Sequence, residues 1–392
     1  MNDLHIAAMT LTCAAGTGLD AVRAALSGGR SGLRANDYPH CDLDTWIGRV
    51  DDVEDISLAG DLARFQCRNN QLAELALRQD GFRDRAAALL ERHRPERVAC
   101  VMGTSTAGIS STELAYRELD ENGEFRAEHV MPWVHTPHTS AAFVAAALGL
   151  EGPVQTVSTA CSSSAKVFAT AARLIESGWA DAAVVGGVDS LCLSVLYGFH
   201  SLELVSTDPC RPFDRGRNGL NLGEAAGLAI VERNPDASLG RLLGWGETSD
   251  AHHMASPHPE GAGAISAMRR ALDRAGMSPQ AIGYVNCHGT ATPMNDRIET
   301  MALRTVFGAP PPAGSTKAWT GHTLGAAGIT EAVFSLLALG DGYLPASLNC
   351  ADPEPDAGDF ILREGRREKV SAVMSNSFGF GGSNCTLIMG AA

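Results

Sequence analysis

The sequence predicts an α/β protein whose sheets are covered by helices on both faces, and three observations carry that prediction. Short apolar runs closing on glycine alternate with longer stretches of helical periodicity, the pattern of buried strands joined by crossover helices. The alternation occurs twice, in a first series before residue 240 and a second after it. Finally, 392 residues with 45% hydrophobic and 19% charged side chains supply ample core for such a fold.

In the first series, an apolar strand opens the chain over 4–15. Residues 97–103 (RVACVMG) read as a buried strand entering the small-residue loop Thr104-Ser105-Thr106-Ala107-Gly108. Val167, Phe168, Ala171, Ala172, Leu174 and Ile175 recur at helical spacing, so a helix is expected over 165–177, with Gly178 at the C′ position. Residues 182–187 and 226–231 are two further buried strands. The second series has a strand-like run at 241–245, a helix over 262–275 and a strand at 282–287. A helix after Asn295, another over 325–339, and closing strands at 372–374 and 385–389 complete it. The two series divide the chain at 1–240 and 241–392, as a rough duplication of one α/β motif. Residues 309–313 (APPPA) form a short stiff loop rather than a linker.

Composition excludes several classes of function. A formal net charge of −14 argues against a nucleic-acid or anionic-membrane surface, although a local basic patch could still meet an acidic partner. The first 13 residues lack the basic n-region and apolar run of a signal peptide, and no stretch reads as apolar for long enough to span a bilayer. The 10 cysteines include no Cys-x-x-Cys pair, so a zinc knuckle or redox dithiol is not expected. A reducing, cytoplasmic setting follows, with most thiols acting as small buried hydrophobes.

Chemistry concentrates in three separated segments. Cys161, in Ser158-Thr159-Ala160-Cys161-Ser162-Ser163-Ser164, stands just before a helix start, where free amide N–H groups and the positive dipole end favour thiolate. The same amides suit an oxygen gaining negative charge during attack on a thioester. His288 closes a strand and enters the turn Gly289-Thr290-Ala291-Thr292-Pro293. His322 lies between Gly321 and the small-residue run Thr323-Leu324-Gly325-Ala326-Ala327-Gly328, which lets a helix start pack closely against a neighbour. Two neutral imidazoles donating N–H to one oxygen would stabilise an enolate left by departing CO2. Lys317, one of only three lysines (with Lys166 and Lys369), is expected to be buried and paired with a carboxylate, Asp296 or Glu299. Cys287 reads as core, and no short ligand pairs support a metal at Cys161, His288 and His322, or at His252, His253 and His258. Residues 376–384 (NSFGFGGSN) lack dinucleotide-loop spacing and read as a flexible loop gated by an aromatic ring.

Taken in order, these segments resemble the β-ketoacyl-acyl-carrier-protein synthases of the thiolase superfamily, in the Cys-His-His class. The resemblance also rests on Cys210-Arg211-Pro212-Phe213-Asp214, Gly223-Glu224, Thr248-Ser249-Asp250-Ala251 and Pro257-His258-Pro259-Glu260-Gly261, and covers nearly the whole chain. It implies a thiolase fold, two duplicated halves forming a five-layer αβαβα sandwich, and a dimer fed by the phosphopantetheine arm of acyl-carrier protein with no further cofactor. It implies that Cys161 is acylated, that His288 and His322 assist malonyl decarboxylation, and that Lys317 and Glu299 form a supporting ion pair. Thr290 and Thr292, with Phe378, would line the substrate path, and Phe380 would gate it and complete an oxyanion hole with the Cys161 amide. Gly223-Glu224-Ala225-Ala226 departs from the usual Gly-Glu-Gly-Ala, the opening strand lacks the customary glycines, and Lys166 sits in the nucleophile helix. Arg68-Asn69-Asn70-Gln71-Leu72 and Gly103-Thr104-Ser105-Thr106 are similar to ketosynthases of bacterial aryl polyene clusters, whose catalytic subunit pairs with a chain-length-factor-like homologue. A homodimer, a non-catalytic chain-length partner and a non-decarboxylating thiolase remain alternatives at this level. Arg64 and Arg68, at i, i+4 on one expected helix, are candidates for carrier docking.

Overall fold

In the computed structural model, which describes residues 4–392, both series become half-sheets with the same plan. The first contains β1 (Leu4–Cys13), β2 (Val98–Gly103), β3 (Val154–Val157), β4 (Ala182–Asp189) and β5 (Ala225–Glu232). The second contains β6 (Gly240–Ser249), β7 (Tyr284–Asn286), β8 (Ala313–Gly314), β9 (Ala372–Gly379) and β10 (Ser383–Gly390). Each half-sheet runs third, second, fourth, fifth, first, in order of its own strands. The directions also match. The fifth strand is antiparallel to the first and fourth, and the second is parallel to the third and fourth. The halves join where β1 pairs antiparallel with β6, Leu4 opposite Leu242. Every residue of β2, β4 and β5 is buried, as continuous apolar strands covered on both faces must be.

Helices supply the covering layers. Outside the first half-sheet lie α1 (Arg68–Leu77) and α3 (Thr139–Leu148); between them in sequence comes α2 (Ile109–Arg117), nearer the surface. In the middle, α4 (Ser163–Glu176) and α8 (Ala327–Asp341) pack on each other and touch strands of both halves. Helix α5 (Leu193–Ser201) follows β4, and α6 (Ala262–Ala275) with α7 (Pro293–Phe307) lies outside the second half-sheet. The result is the αβαβα sandwich. Small residues make the central layer thin: a Cβ on Gly328 would lie 2.3 Å from the Ala165 nitrogen, and one on Gly187 2.4 Å from the Ser164 Cβ.

Two expectations need correction. β9 continues to Gly379 instead of stopping near 374, because Ser375, Asn376 and Ser377 are polar yet buried in the sheet. The segment Leu324–Asp341 does reach membrane-spanning length and apolarity, with mean hydropathy 1.3 over 18 residues. It is 89% buried inside the protein as the central helix.

Candidate active site

Cys161 sits on a tight turn between β3 and α4. Ala160 adopts the left-handed conformation (φ 52°), which a residue with a Cβ holds only when its surroundings enforce it. Here the serines enforce it. The Ser162 hydroxyl donates to the Thr159 carbonyl at 2.9 Å; the Ser163 hydroxyl donates to Ala160 O at 2.6 Å and accepts the Thr159 N–H at 2.9 Å. Below the turn Gly103 is indispensable, since its Cβ would meet the Ser164 nitrogen at 2.5 Å.

His288 lies just past β7, and its loop is gripped from α7. Glu299 accepts the His288 and Gly289 N–H groups at 2.9 and 2.8 Å, and the Asn376 amide at 3.2 Å. His322 is clamped through its backbone: its N–H donates to Asn221 O at 2.7 Å and its carbonyl accepts from Gly223 N–H at 3.1 Å. The Lys317 ammonium reaches the His288 carbonyl and pairs with Glu331 of α8. It also stands 3.4 Å from His288 Nδ1.

These contacts fix both tautomers. An ammonium has no lone pair, so His288 Nδ1 must be the acceptor; His322 Nδ1 accepts the Leu324 N–H at 3.3 Å. Each neutral ring therefore carries its proton on Nε2. Burial, reinforced by Lys317, holds both imidazoles well below their usual pKa, so both are neutral.

The three groups meet in one cavity of about 270 Å³. His322 Nε2 is 3.0 Å from the Cys161 sulfur, and the two imidazole rings stand 5.4 Å apart, nearly perpendicular. The Cys161 thiol does not behave as the helix-start argument expects. Burial pushes it up to about 11; the Phe380 N–H and the Lys317 charge only partly offset this, while Asp189 and Glu331 add to it. Desolvation outweighs the dipole, because Cys161 precedes the N-cap Ser162 and is itself buried. Near neutral pH the sulfur is therefore a thiol, with His322 Nε2 beside it.

The other expected residues separate into two groups. Thr290, Thr292, Phe378 and Phe380 line the same cavity, the threonine hydroxyls 2.9 Å apart and Phe378 5.9 Å from the His288 ring. Asp296 and Glu299 do not pair with Lys317. Asp296 accepts from the Phe213 and Ala291 N–H groups at 2.8 and 3.2 Å and faces Arg217, while Glu299 grips the His288 loop. The partner of Lys317 is Glu331, whose carboxyl burial pushes up to about 7 against the pull of Lys317. A lone carboxylate in the apolar run 325–339 was the available signal, since a buried charge needs a partner. Asp189 carries no local sequence signal of its role. It accepts from Thr104, Ser105 and Thr106, and from the Gly325 N–H at 2.6 Å, tying the first half to the His322 segment. Arg64 and Arg68 are not one docking stripe. Arg64 lies in the separate short helix Gly60–Phe65 and stacks on Trp133 at 4.6 Å, while Arg68 is spent on Glu224 at 2.6 Å and on Glu54.

Cys161 Sγ and one nitrogen of each histidine lie within 4.8 Å of one another, a spacing that could suit a metal ion. The donor set does not. Ligation by Nε2 would force each proton onto Nδ1, against the Leu324 N–H and the Lys317 ammonium. What the cavity offers is a nucleophilic sulfur and convergent N–H donors, the equipment for acyl transfer and for holding a developing oxyanion.

Known proteins resemble this one along its length. Residues 1–237 match the beta-ketoacyl synthase N-terminal domain and residues 239–351 the beta-ketoacyl synthase C-terminal domain. The 3-oxoacyl-[acyl-carrier-protein] synthase 2 of Staphylococcus aureus is 31% identical over 370 residues, 87% of this chain and 92% of that protein. A solved complex of a ketosynthase (ApeO) with its chain length factor (ApeC) from Xenorhabdus doucetiae contains a chain 37% identical to this one. It aligns with TM-score 0.89 over 100% of this chain and 98% of that one. The ishigamide ketosynthase/chain length factor gives TM-score 0.90 at 27% identity, covering 99% of both. With both domains matched in order, and a sulfur and two imidazoles converging where they meet, the chain belongs to the beta-ketoacyl synthase family.

Proposed function

We propose that this enzyme, a 3-oxoacyl-[acyl-carrier-protein] synthase by class, builds chains by decarboxylative Claisen condensation with Cys161, His288 and His322 as its catalytic residues. The Cys161 sulfur attacks the carbonyl of an acyl thioester, the carrier thiol leaves with the proton, and the acyl group stays on the enzyme. Malonyl-carrier then enters and loses CO2. The resulting enolate oxygen accepts N–H bonds from Nε2 of His288 and of His322, which stabilise it without protonating its carbon. That carbon attacks the acyl-Cys161 carbonyl, whose oxygen is held by the Cys161 and Phe380 amides. Collapse expels the sulfur and releases a 3-oxoacyl-carrier two carbons longer.

The observation that carries this reading is the meeting of the Cys161 sulfur with one nitrogen of each neutral imidazole within 4.8 Å, His322 through its Nε2 at 3.0 Å. Thr290 and Thr292 are assigned to the pantetheine arm, and Phe378 and Phe380 to the wall closing over it. Lys317 and Glu331 hold His288 by its carbonyl and Nδ1. Intact-protein mass spectrometry tests the assignment: incubation with acyl-carrier should add one acyl group to the parent and none to Cys161→Ala. A Cys161→Ala protein that still elongates at the parental rate would refute it.

We further assign the chain to a heterodimer with a chain-length-factor-like homologue, serving an aryl polyene or related polyketide pathway. The relation to the ApeO–ApeC complex supports this, as do two surface features. Strand β3 ends the sheet with no described strand on its outer edge, and Leu114, Tyr116, Phe125, Val130 and Trp133 are exposed along one stretch of chain. Purification as a stable homodimer that elongates without a second subunit would remove the heterodimer. Two other readings fare worse. A non-catalytic chain-length subunit has no use for a cysteine 3.0 Å from an imidazole. A thiolase needs a second cysteine as acid/base, yet Cys385 is fully buried, and that burial pushes its thiol up, away from acid/base use.

A further inference from the structure

Three phenylalanines line the cavity with Cys161: Phe378 and Phe380 come from the glycine-rich segment, and Phe199 comes from α5. Phe380 stacks on Phe199 of α5, centroids 5.3 Å apart and planes inclined by 20°, and the Phe199 ring is 6.4 Å from that of His322. The residue before Phe380 packs on the cysteine turn, since a Cβ on Gly379 would lie 3.2 Å from the Cys161 nitrogen, and the Phe380 N–H offsets part of the rise that burial imposes on the thiol. The position of α5 therefore bears on an amide that must stay aimed at the reacting centre.

The start of α5 is held by a side chain from elsewhere. Cys192, its N-cap, is extended (φ −154°, ψ 161°) and supplies no capping bond. Instead Glu113 of α2 reaches across: its two carboxylate oxygens accept the Leu193 N–H at 3.1 Å and the Ser194 N–H at 2.6 Å. A carboxylate satisfying two free amides at the positive end of a helix is favourable in both hydrogen bonding and charge. The same two segments are already clasped once, since Asp189, closing β4, accepts bonds from the loop that leads into α2. Thr104 to Thr106 are thus gripped by Asp189, and α5, which follows Asp189, is gripped in return by Glu113. Leu114 and Tyr116, next to Glu113 on α2, are exposed at 46% and 65%, so the clasp joins a surface helix to the catalytic wall.

We propose that Glu113 is a positioning residue for acyl transfer: by holding the start of α5 it sets Phe199, and through the Phe199–Phe380 stack it keeps the Phe380 amide aimed at Cys161. The inference rests on the acylation of Cys161 proposed above. It concerns one half-reaction only, because the enolate is held by His288 and His322, whose tautomers depend on Lys317 and Leu324 rather than on α5.

Three variants test it: Glu113→Gln, which can accept only one of the two N–H groups; Phe199→Leu; and Leu193→Pro. The last deletes one of the two donors at a first-turn position compatible with proline, after an extended residue. Cys161 acylation is followed by intact-protein mass spectrometry, and malonyl-carrier decarboxylation in a Cys161→Gln background. Glu113→Gln and Leu193→Pro should each slow acylation between about 10- and 100-fold, the range that small misplacement of a catalytic group costs. Decarboxylation should stay within about twofold of the Cys161→Gln parent. Glu113→Gln combined with Phe199→Leu should acylate no more slowly than Phe199→Leu alone, as expected of residues acting in series. Additive losses, a parental acylation rate in either folded cap variant, or acylation and decarboxylation falling together would overturn the proposal. A parent that never acylates at Cys161 would instead refute the catalytic reading, which distinguishes the two failures.

Discussion

The halves of this molecule share a strand order and strand directions, yet divide the chemistry unequally. In each, the chain leaves its third strand and enters a central helix: after β3 the turn presents Cys161 to α4, and after β8 it presents His322 ahead of α8. In each, the loop after the second strand is held by a buried carboxylate, Asp189 for Thr104–Thr106 and Glu299 for His288 and Gly289. The first half puts hydroxyls where the second puts an imidazole. A duplicated scaffold thus brings two equivalent turns to one point at the centre, and substitution on each side yields a nucleophile facing two hydrogen-bond donors.

The largest expected effect separates the halves by half-reaction. Cys161→Ala should lower chain elongation by more than about 10³-fold, since the covalent step is lost. Cys161→Gln should still decarboxylate malonyl-carrier, whereas His288→Ala should lose that activity by about 10²–10³-fold, the cost of removing one oxyanion donor. Separate assays of acylation and CO2 release check both. Equal loss of decarboxylation in both variants would mean that the division between halves is wrong.

A second prediction concerns the charges behind the histidines. Glu331→Ala leaves the Lys317 ammonium buried without its carboxylate and should cost about 3–5 kcal/mol of stability. Glu299→Gln keeps one acceptor for the backbone N–H groups at 2.9 and 2.8 Å and should cost less, about 1–3 kcal/mol. Denaturant melts of the two variants would reverse in order if Glu299 were the lysine's partner.

That pairing marks the boundary of what the sequence discloses. Helix α6 was legible to the residue because glycines with positive φ, Gly261 and Gly276, bound a strongly amphipathic stretch. The turns that carry Cys161, His288 and His322 into one cavity were legible because these residues stood among glycines and serines at element ends. Partners across the fold were not. Glu331 lies on α8 and Glu299 on α7, so which one reaches Lys317 depends on how the layers stack. Arg68 read as an exposed docking cation because its partner Glu224 is distant in sequence. The acidity of Cys161 was misjudged for the same reason: the helix start is local, while the enclosing walls come from both halves.

The third prediction turns on that acidity. Alkylation consumes thiolate, and a thiol pushed up to about 11 ionises about tenfold more per pH unit below that value. Iodoacetamide labelling of Cys161 in the free enzyme, followed at the peptide level, should therefore accelerate about 100-fold between about pH 7 and pH 9 without levelling. Burial acts on the thiol and the imidazoles in one sense, keeping each group neutral until substrate arrives. A plateau by about pH 8 would show that the dipole of α4 prevails over desolvation after all.

The smallest expected effect probes the seam between the halves. Gly328 opens α8 against α4, and an added methyl would stand 2.3 Å from the Ala165 nitrogen and 2.7 Å from its Cβ. Neither atom can turn aside, because both belong to a helix wedged between two half-sheets. Gly328→Ala should therefore force the central helices apart and cost about 1–3 kcal/mol of stability by overpacking. It should also widen the gap between Cys161, just ahead of α4, and His322, just ahead of α8, so elongation should fall further than the loss of folded protein explains. Unchanged elongation per folded molecule would mean that each turn is held by its own half alone, by the serine-laced loop for Cys161 and the Asn221–Gly223 clamp for His322.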